Sequence, residues 1–468
     1  MDLSALDRLV QVLGIILAPF ALWRSRTSQG AFAWVVSLIA FPYVAVPAFA
    51  VFGCKRFHGY VIRRQKLDAA AVRELRDMHQ QIKEVAPQSA LRELASVVHK
   101  SGQVGFTTGN VVDLLVDGEA TFAAMLSTLR SAKRYILFQT YILRDDHIGR
   151  EFRDALAEKA KEGVRVYCIY DRIGSSFSRA FIKSFQAAGV MIAGFEGNRK
   201  ILKNIQINFR NHRKLLIVDG DVVLLGGHNV GDDYLGRWKN VGTWRDTHMR
   251  LAGPAAAAAQ LSFIKDWFWV KEVLIDVDWN TPVHSGGCDA LVFHTGPADQ
   301  HETCNLAHIA LINAAKKRIW IATPYFVPPD GLSNALALAA LRGVDVRIIL
   351  PTMTDNHMAK LASEVHVAKL QQAGVQFWRY QAGFLHQKVM LCDELAGVVG
   401  SVNLDARSFF INFEITALSD QRQFLQDLET MLLRDFARSQ LIAEGEFHSR
   451  PFYYRFAALA ATLGGPML

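Results

Sequence analysis

Cysteine is scarce in this 468-residue chain. The five present, Cys54, Cys168, Cys288, Cys304 and Cys392, are scattered, odd in number and never spaced C-x-x-C. That implies neither a disulfide framework nor a zinc site and favours free thiols of a reducing compartment. Charge is also thin, at 21% of residues against 51% hydrophobic, which excludes a mainly disordered chain. Acidic residues are the scarcer kind: 44 Asp and Glu against 52 Lys and Arg give a net charge of +8 and a pI near 9.2. The excess points to an anionic partner, a membrane surface or nucleic acid. The length leaves room for about two or three domains.

Two N-terminal stretches have no charge at all, residues 9–23 and 31–53. The second, with 23 residues, is long enough to cross a hydrocarbon core as one tilted helix. The first has 15 residues and contains Pro19, which fits a short span or an interfacial segment. The polar link from Arg24 to Gly30 separates them. A cleaved signal peptide fits poorly, because Asp2 and Asp7 stand where a basic start belongs. Neither run has a polar face, so a membrane anchor is expected over a buried hairpin of a soluble domain. Lys55, Arg56, Arg63, Arg64 and Lys66 follow the second run and favour a cytoplasmic remainder, although Arg24 and Arg26 pull the other way. The expectation is a chain anchored to a membrane with its remainder in the cytoplasm.

Beyond the anchor (1–66), residues 67–104 have helix-like apolar spacing and read as a helical connector. From there strand and helix patterns alternate: a strand at 111–117, a helix at 119–132, a strand from Arg134, a helix at 148–162 and a strand at 164–171. The alternation predicts an α/β fold with a largely parallel sheet. The order then repeats. Lys317-Arg318-Ile319 echoes Lys133-Arg134-Tyr135, and Gly343-Val344 echoes Gly163-Val164, at offsets of 184 and 180 residues. A period that long is a duplicated domain. The predicted halves are 105–285 and 286–468, joined by a loop within 280–297. Gly253-Pro254 starts a helix at the alanine run 255–259. The tail 452–468 is strongly apolar, and packing on the domain and contact with a bilayer both remain open.

Each half carries the same constellation. Asn211-His212-Arg213-Lys214 and Leu385-His386-Gln387-Lys388 both open the pattern H-x-K-x-x-x-x-D, which closes at Asp219 and Asp393. Fifteen residues after each His stands a small residue, Gly227 or Ser401, and two further on an amide, Asn229 or Asn403. A carboxylate follows each block, Asp246 34 residues after His212 and Glu414 28 after His386. One such motif is weak evidence, because a strand His is usually structural. Two copies with matching downstream steps suggest one site assembled from two halves.

On an extended strand, residues two apart face the same side, so each His–Lys pair can reach one cleft. Two cations and two amides suit a tetrahedral anion, best a phosphodiester. Lys214, Lys388, Asn229 and Asn403 would hold its oxygens. One imidazole can attack phosphorus while the other protonates the leaving oxygen, and no metal or other cofactor is needed. Asp246 and Glu414 are the candidates for holding an imidazole in one tautomer. The candidate catalytic set is His212, Lys214, Asp219, His386, Lys388 and Asp393, with Asp219 and Asp393 expected to brace strand and turn. His228 and His248 have no counterparts in the second half and read as bystanders.

These paired blocks, with Gly226-Gly227-His228-Asn229 and Gly400-Ser401-Val402-Asn403 following, resemble the phospholipase D superfamily over most of residues 105–450. With the two apolar N-terminal runs, Asn110-Val111-Val112-Asp113 and Trp244-Arg245-Asp246-Thr247-His248, the chain resembles more narrowly the bacterial cardiolipin synthase family. The resemblance implies two tandem phospholipase D-like α/β domains related by a pseudo-twofold around one cleft, and a phosphohistidine intermediate. His212 would be the nucleophile and His386 the general acid and then base. The implied reaction moves a phosphatidyl group from one phosphatidylglycerol to another and releases glycerol. A phospholipase D using water or another alcohol would have the same motifs. A nuclease of the superfamily would suit the basic charge but not the apolar N-terminus, so no nucleic acid partner is expected. A scaffold with a relic site would be expected to have lost motif residues, and both copies are complete.

Overall fold

The computed structural model describes residues 3–25, 28–53, 77–78, 80–196, 209–237 and 242–464. The chain forms two compact units. The first comprises Met1–Leu67 with Glu196–Arg210, and the second Asp68–Phe195 with Asn211–Leu468.

In the first unit the helices are Leu3–Arg24, Ser28–Ala40 and Pro42–Phe52. Gly14 lets the first two approach closely, since a Cβ there would lie 2.2 Å from the Leu38 carbonyl oxygen. The expected single span over 31–53 is not one helix. It breaks at Phe41, whose φ of −133° is non-helical, because Pro42 disfavours helical backbone in the residue before it and starts a new helix. Among the described residues no helix is long and apolar enough to cross a membrane. Many side chains here are nonetheless large, apolar and exposed, including Ile15, Ile16, Leu22, Trp23, Phe32, Phe41 and Val44. The basic cluster from Lys55 to Lys66, Cys54 and most of the predicted connector lie outside the described residues.

The second unit is built on one 15-stranded sheet. Its first half contributes β1 (Thr107–Val116), β2 (Tyr135–Thr140), β3 (Arg165–Asp171), β4 (Met191–Phe195), β5 (Leu215–Val218), β6 (Val222–Gly226) and β8 (Thr247–Ala252), with β7 (Trp244–Arg245) set apart. Its second half contributes β9 (Cys288–Thr295), β10 (Arg318–Ala322), β12 (Asp345–Pro351), β13 (Gln376–Tyr380), β15 (Val389–Cys392), β16 (Ala396–Gly400), β18 (Glu414–Ser419) and β19 (Ser439–Leu441). Three short strands also lie outside the main sheet here, β11 (Phe326–Val327), β14 (Phe384–Leu385) and β17 (Leu404–Asp405). The order β19-β13-β12-β10-β15-β16-β18-β9-β1-β8-β6-β5-β2-β3-β4 places the two halves on either side of the β9–β1 seam. Two core clusters lie under it, one per half, centred on residues such as Phe138, Phe152 and Leu216 and on Ile319, Phe326 and Val398.

The sheet is mixed rather than largely parallel. Parallel pairing is confined to β2–β3–β4 and β10–β12–β13, where crossover helices such as His147–Lys161 and Asp330–Leu341 intervene. The inner strands pair antiparallel, β5 with β6 and β15 with β16 through tight turns. Asp219 and Asp393 sit in those turns with φ of 54° and 49°.

Candidate active site

The backbone clamps each motif histidine onto the other half of the unit. His212 N–H donates to the Phe413 carbonyl at 2.9 Å, and His386 N–H to the Arg245 carbonyl at 2.7 Å. Short parallel pairing of β14 with β7 holds the second clamp, and an Asn211–Phe413 bridge the first. The residue after Phe413 is Glu414 and the residue after Arg245 is Asp246. Each clamp therefore sets a histidine beside the carboxylate of the opposite half. His212 Nδ1 lies 3.0 Å from both Glu414 oxygens, and His386 Nδ1 lies 2.7 Å from Asp246 Oδ2. Sequence order, which places Asp246 after His212 and Glu414 after His386, does not reveal this crossing.

The small residues fifteen positions after each His make room for those carboxylates. A Cβ at Gly227 would stand 1.9 Å from Asp246 Oδ1, so only glycine leaves space there. Ser401 instead donates its hydroxyl to Glu414, and Asn412 adds a second donor at 3.2 Å. With each Nδ1 held, Nε2 is the imidazole atom left for chemistry. Aromatic rings surround both: Tyr141 lies 5.1 Å from His212, and Trp244 5.1 Å and Phe384 5.9 Å from His386, between ring centroids.

Both lysines are buried. Lys214 Nζ donates to the His212 carbonyl at 2.7 Å, and Lys388 Nζ to the His386 carbonyl, with His386 Nδ1 also 2.8 Å away. Burial lowers Lys214 to about 7 and Lys388 to about 8. Burial also lowers both histidines, His386 to about 4. Lys388 pushes His212 down as well as His386, and Lys214 pushes His386 down as well as His212, so the four groups share one electrostatic field. Burial opposes the charge of Asp246, yet Lys388, His228 and His386 hold it below the ordinary carboxylate range. For Glu414 burial is likewise overcome, chiefly by His212.

The two amides differ. Asn229 Oδ1 accepts from Ile142 N–H at 3.0 Å while its Nδ2 donates to the Tyr234 hydroxyl at 2.6 Å. Asn403 Oδ1 is buried with no hydrogen-bond partner among the described residues. Asp219 and Asp393 stand apart from both histidines, at the far ends of β5 and β15. Asp219 accepts from the N–H groups of Lys133, Arg134 and Tyr135 at 2.7–2.9 Å, and Asp393 from those of Lys316, Lys317 and Arg318 at 2.7–3.0 Å. These bonds fit the bracing of strand and turn expected for both residues, and they fall on the backbone of the repeated Lys-Arg segments. His228 and His248 form a buried pair, Nδ1 to Nδ1 3.2 Å, near Asp246. Among the described residues no group of three or more His, Cys, Asp or Glu is arranged to hold a metal ion.

Sequence reasoning missed the support beneath His212. Arg213, almost fully buried, donates to Asp266 at 2.6 Å, to the Glu414 carbonyl at 3.1 Å and to the Thr295 carbonyl at 3.0 Å. Asn211 and Gln139 donate to the same Asp266 oxygen. The available signal was Asp266 itself, the one carboxylate in the helix Ala256–Lys271, where a buried charge requires a partner.

The description "Cardiolipin synthase, PLD-like domain" matches residues 125–253 and again 308–436. Cardiolipin synthase A of Pseudomonas fluorescens (strain Pf-5) is 38% identical over 98% of this chain and 97% of its own length. Cardiolipin synthase A of Pseudomonas aeruginosa (strain LESB58) is 40% identical over 92% of this chain and 89% of its own. Among solved structures, a phosphatidylserine synthase from Haemophilus influenzae Rd KW20 superposes with a TM-score of 0.61, covering 76% of this chain and 95% of that one at 15% identity. At that identity the likeness shows a shared fold alone.

Proposed function

The chain belongs to the phospholipase D-like family of cardiolipin synthases and is a phosphatidyltransferase of that superfamily, and we propose that its two crossed His–carboxylate pairs carry the transfer. The observation that carries this reading is the Nδ1 engagement of both imidazoles by carboxylates of the opposite half. The substrate class is phospholipid, with phosphatidylglycerol as donor and acceptor.

With His212 as nucleophile, its Nε2 lone pair attacks phosphorus and forms a P–N bond. The P–O bond to the glycerol headgroup breaks, and His386 gives the departing oxygen a proton. Neutral His386 then takes a proton from the hydroxyl of a second phosphatidylglycerol as that oxygen attacks phosphorus and the P–N bond breaks. Both histidines return to their starting states, and one phosphodiester has replaced another. Lys214, Lys388 and the amide N–H groups of Asn229 and Asn403 are suited to hold the non-bridging oxygens. Burial favours neutral imidazoles at pH 7, which suits the nucleophile. The negative phosphate raises the general acid, so substrate itself promotes the protonated form.

We place the three N-terminal helices in the lipid interface of the inner membrane, with the catalytic chemistry on its cytoplasmic face. The support is the exposed apolar surface of the three N-terminal helices and the basic residues from Lys55 to Lys66. Purified protein added to liposomes of phosphatidylglycerol alone should yield cardiolipin and glycerol in equal amounts. Phosphatidic acid as the main product would replace the synthase reading with a hydrolase.

A further inference from the structure

The C-terminal helix Phe452–Thr462 has one face packed and one face open. Ala458 and Ala461 are buried, and Ala461 clusters with Val327 and Ala362. On the other side Phe452, Tyr453, Phe456, Leu459 and the following Leu463 are 74, 75, 64, 52 and 85% exposed. At helical pitch Phe452, Phe456, Leu459 and Leu463 fall within an arc of roughly 60°, with Tyr453 roughly 60° beyond its edge. Phe452 and Phe456 stack on one another along that arc. Every exposed residue from 452 to 463 is uncharged. A helix that served only to cover the domain would show charge on its outer face.

We propose that this face is a docking surface for a phospholipid bilayer, and that it seats the catalytic unit on the membrane that holds its substrate. The proposal rests on the phosphatidyltransferase reading above. Three observations favour lipid over a second copy of the chain. First, the outer face combines aromatic rings, a tyrosine and leucines, the set that partitions into the headgroup boundary. Second, Arg455 lies on its flank and gives positive charge beside the apolar stripe to complement anionic headgroups, while Arg450, just before the helix, is paired with Glu446 at 2.8 Å. Third, the helix is tied to the candidate site. It packs on helix His357–Gln371, which packs on β11, and β11 pairs with β17, whose first residue follows Asn403. A bilayer gripped by Phe452 and Phe456 is thus linked through two layers of packing to an amide proposed to bind phosphate.

The test uses the full chain carrying Phe456→Cys labelled with an environment-sensitive nitrobenzoxadiazole dye. Gln423→Cys, on the exposed side of helix Arg422–Ala437, is the control site, and wild-type protein treated alike reports background labelling. Phosphatidylglycerol vesicles should shift the 456 emission to the blue and raise it several-fold, with quenching by nitroxide lipid. The 423 signal should stay unchanged. No response at 456, or a blue shift that grows with protein concentration without vesicles, overturns the proposal, the latter in favour of self-association. In parallel, a combined Phe452→Ser, Phe456→Ser and Leu459→Ser variant should lose about tenfold in turnover on vesicles. Its turnover on detergent-dispersed phosphatidylglycerol should stay within about twofold of wild type. Equal loss on both substrates overturns the docking role. Cardiolipin formation by wild type in detergent reports on the phosphatidyltransferase reading separately.

Discussion

Between the motif His and Lys stands Arg213 in the first half and Gln387 in the second. Arg213 is a buried cation tied to Asp266 and to the backbone that carries Glu414, whereas Gln387 donates to Thr247 Oγ1 at 3.0 Å, next to Asp246. Two different residues thus brace the same place, the strand that delivers the partner half's carboxylate. The carboxylates differ too. Glu414 receives donors from Ser401 and Asn412, while Asp246 sits against a glycine and accepts from Thr247 N–H at 2.8 Å. After duplication the function retained is the hydrogen-bond pattern around each imidazole, and the residues supplying it have drifted apart. The comparison also shows why neither half suffices: each histidine takes its carboxylate partner from the other half.

The crossing can be broken at its centre. His212→Ala and His386→Ala should each lower turnover by about 10⁴-fold or more with folding intact by circular dichroism. Next come the carboxylates. Glu414→Gln and Asp246→Asn are each expected to cost about 10²–10⁴-fold, and trapping of the covalent intermediate should sort them by spatial partner. Asp246→Asn should show the defect of His386→Ala, and Glu414→Gln that of His212→Ala. Pairing by sequence order in that assay would refute the crossing. Gly227→Ala, which drives a methyl group into the Asp246 carboxylate, should fall in the His386 class.

The braces sharpen the comparison through stability. Arg213→Ala strands Asp266 as a buried charge and should cost about 3–5 kcal/mol in denaturant unfolding, against about 1 kcal/mol for Gln387→Ala. Equal costs would show that the two braces are interchangeable.

The lysines set the pH response. Each ammonium is charged below its pKa and neutral above it, and burial brings Lys214 to about 7 and Lys388 to about 8. The ratio kcat/KM should therefore decline as pH rises through about 7 to 8, and a profile flat up to the ordinary lysine value of about 10.4 would contradict the buried placement. The smallest effect on catalysis should come from Asp219→Ala. Loss of its backbone hydrogen bonds is expected to lower stability by about 1–3 kcal/mol and leave kcat of the folded protein nearly unchanged.

The α/β alternation, the duplication and the two motif blocks proposed to build the site were legible in the sequence, because motif spacing survives wherever strand length and turn length are fixed. The mixed pairing of the sheet was not, since an apolar run such as Leu215–Val218 reads the same in a parallel and an antiparallel neighbourhood. The crossed carboxylates were hidden for a related reason: Phe413 and Arg245 reach the histidines through backbone hydrogen bonds, which leave no mark on side-chain identity. At the N-terminus, apolar character was read correctly but continuity was not. Pro42 interrupts the long run, and an uncharged stretch of sufficient length did not make a single span.

The most direct test is the stoichiometry of the covalent intermediate. Rapid quenching of turnover with phosphatidylglycerol labelled in its phosphate should trap at most one phosphatidyl group per chain, on the imidazole of His212 or His386 but never on both. Two groups per chain, or steady turnover with no histidine label at any quench time, would contradict a single cleft shared by the two halves.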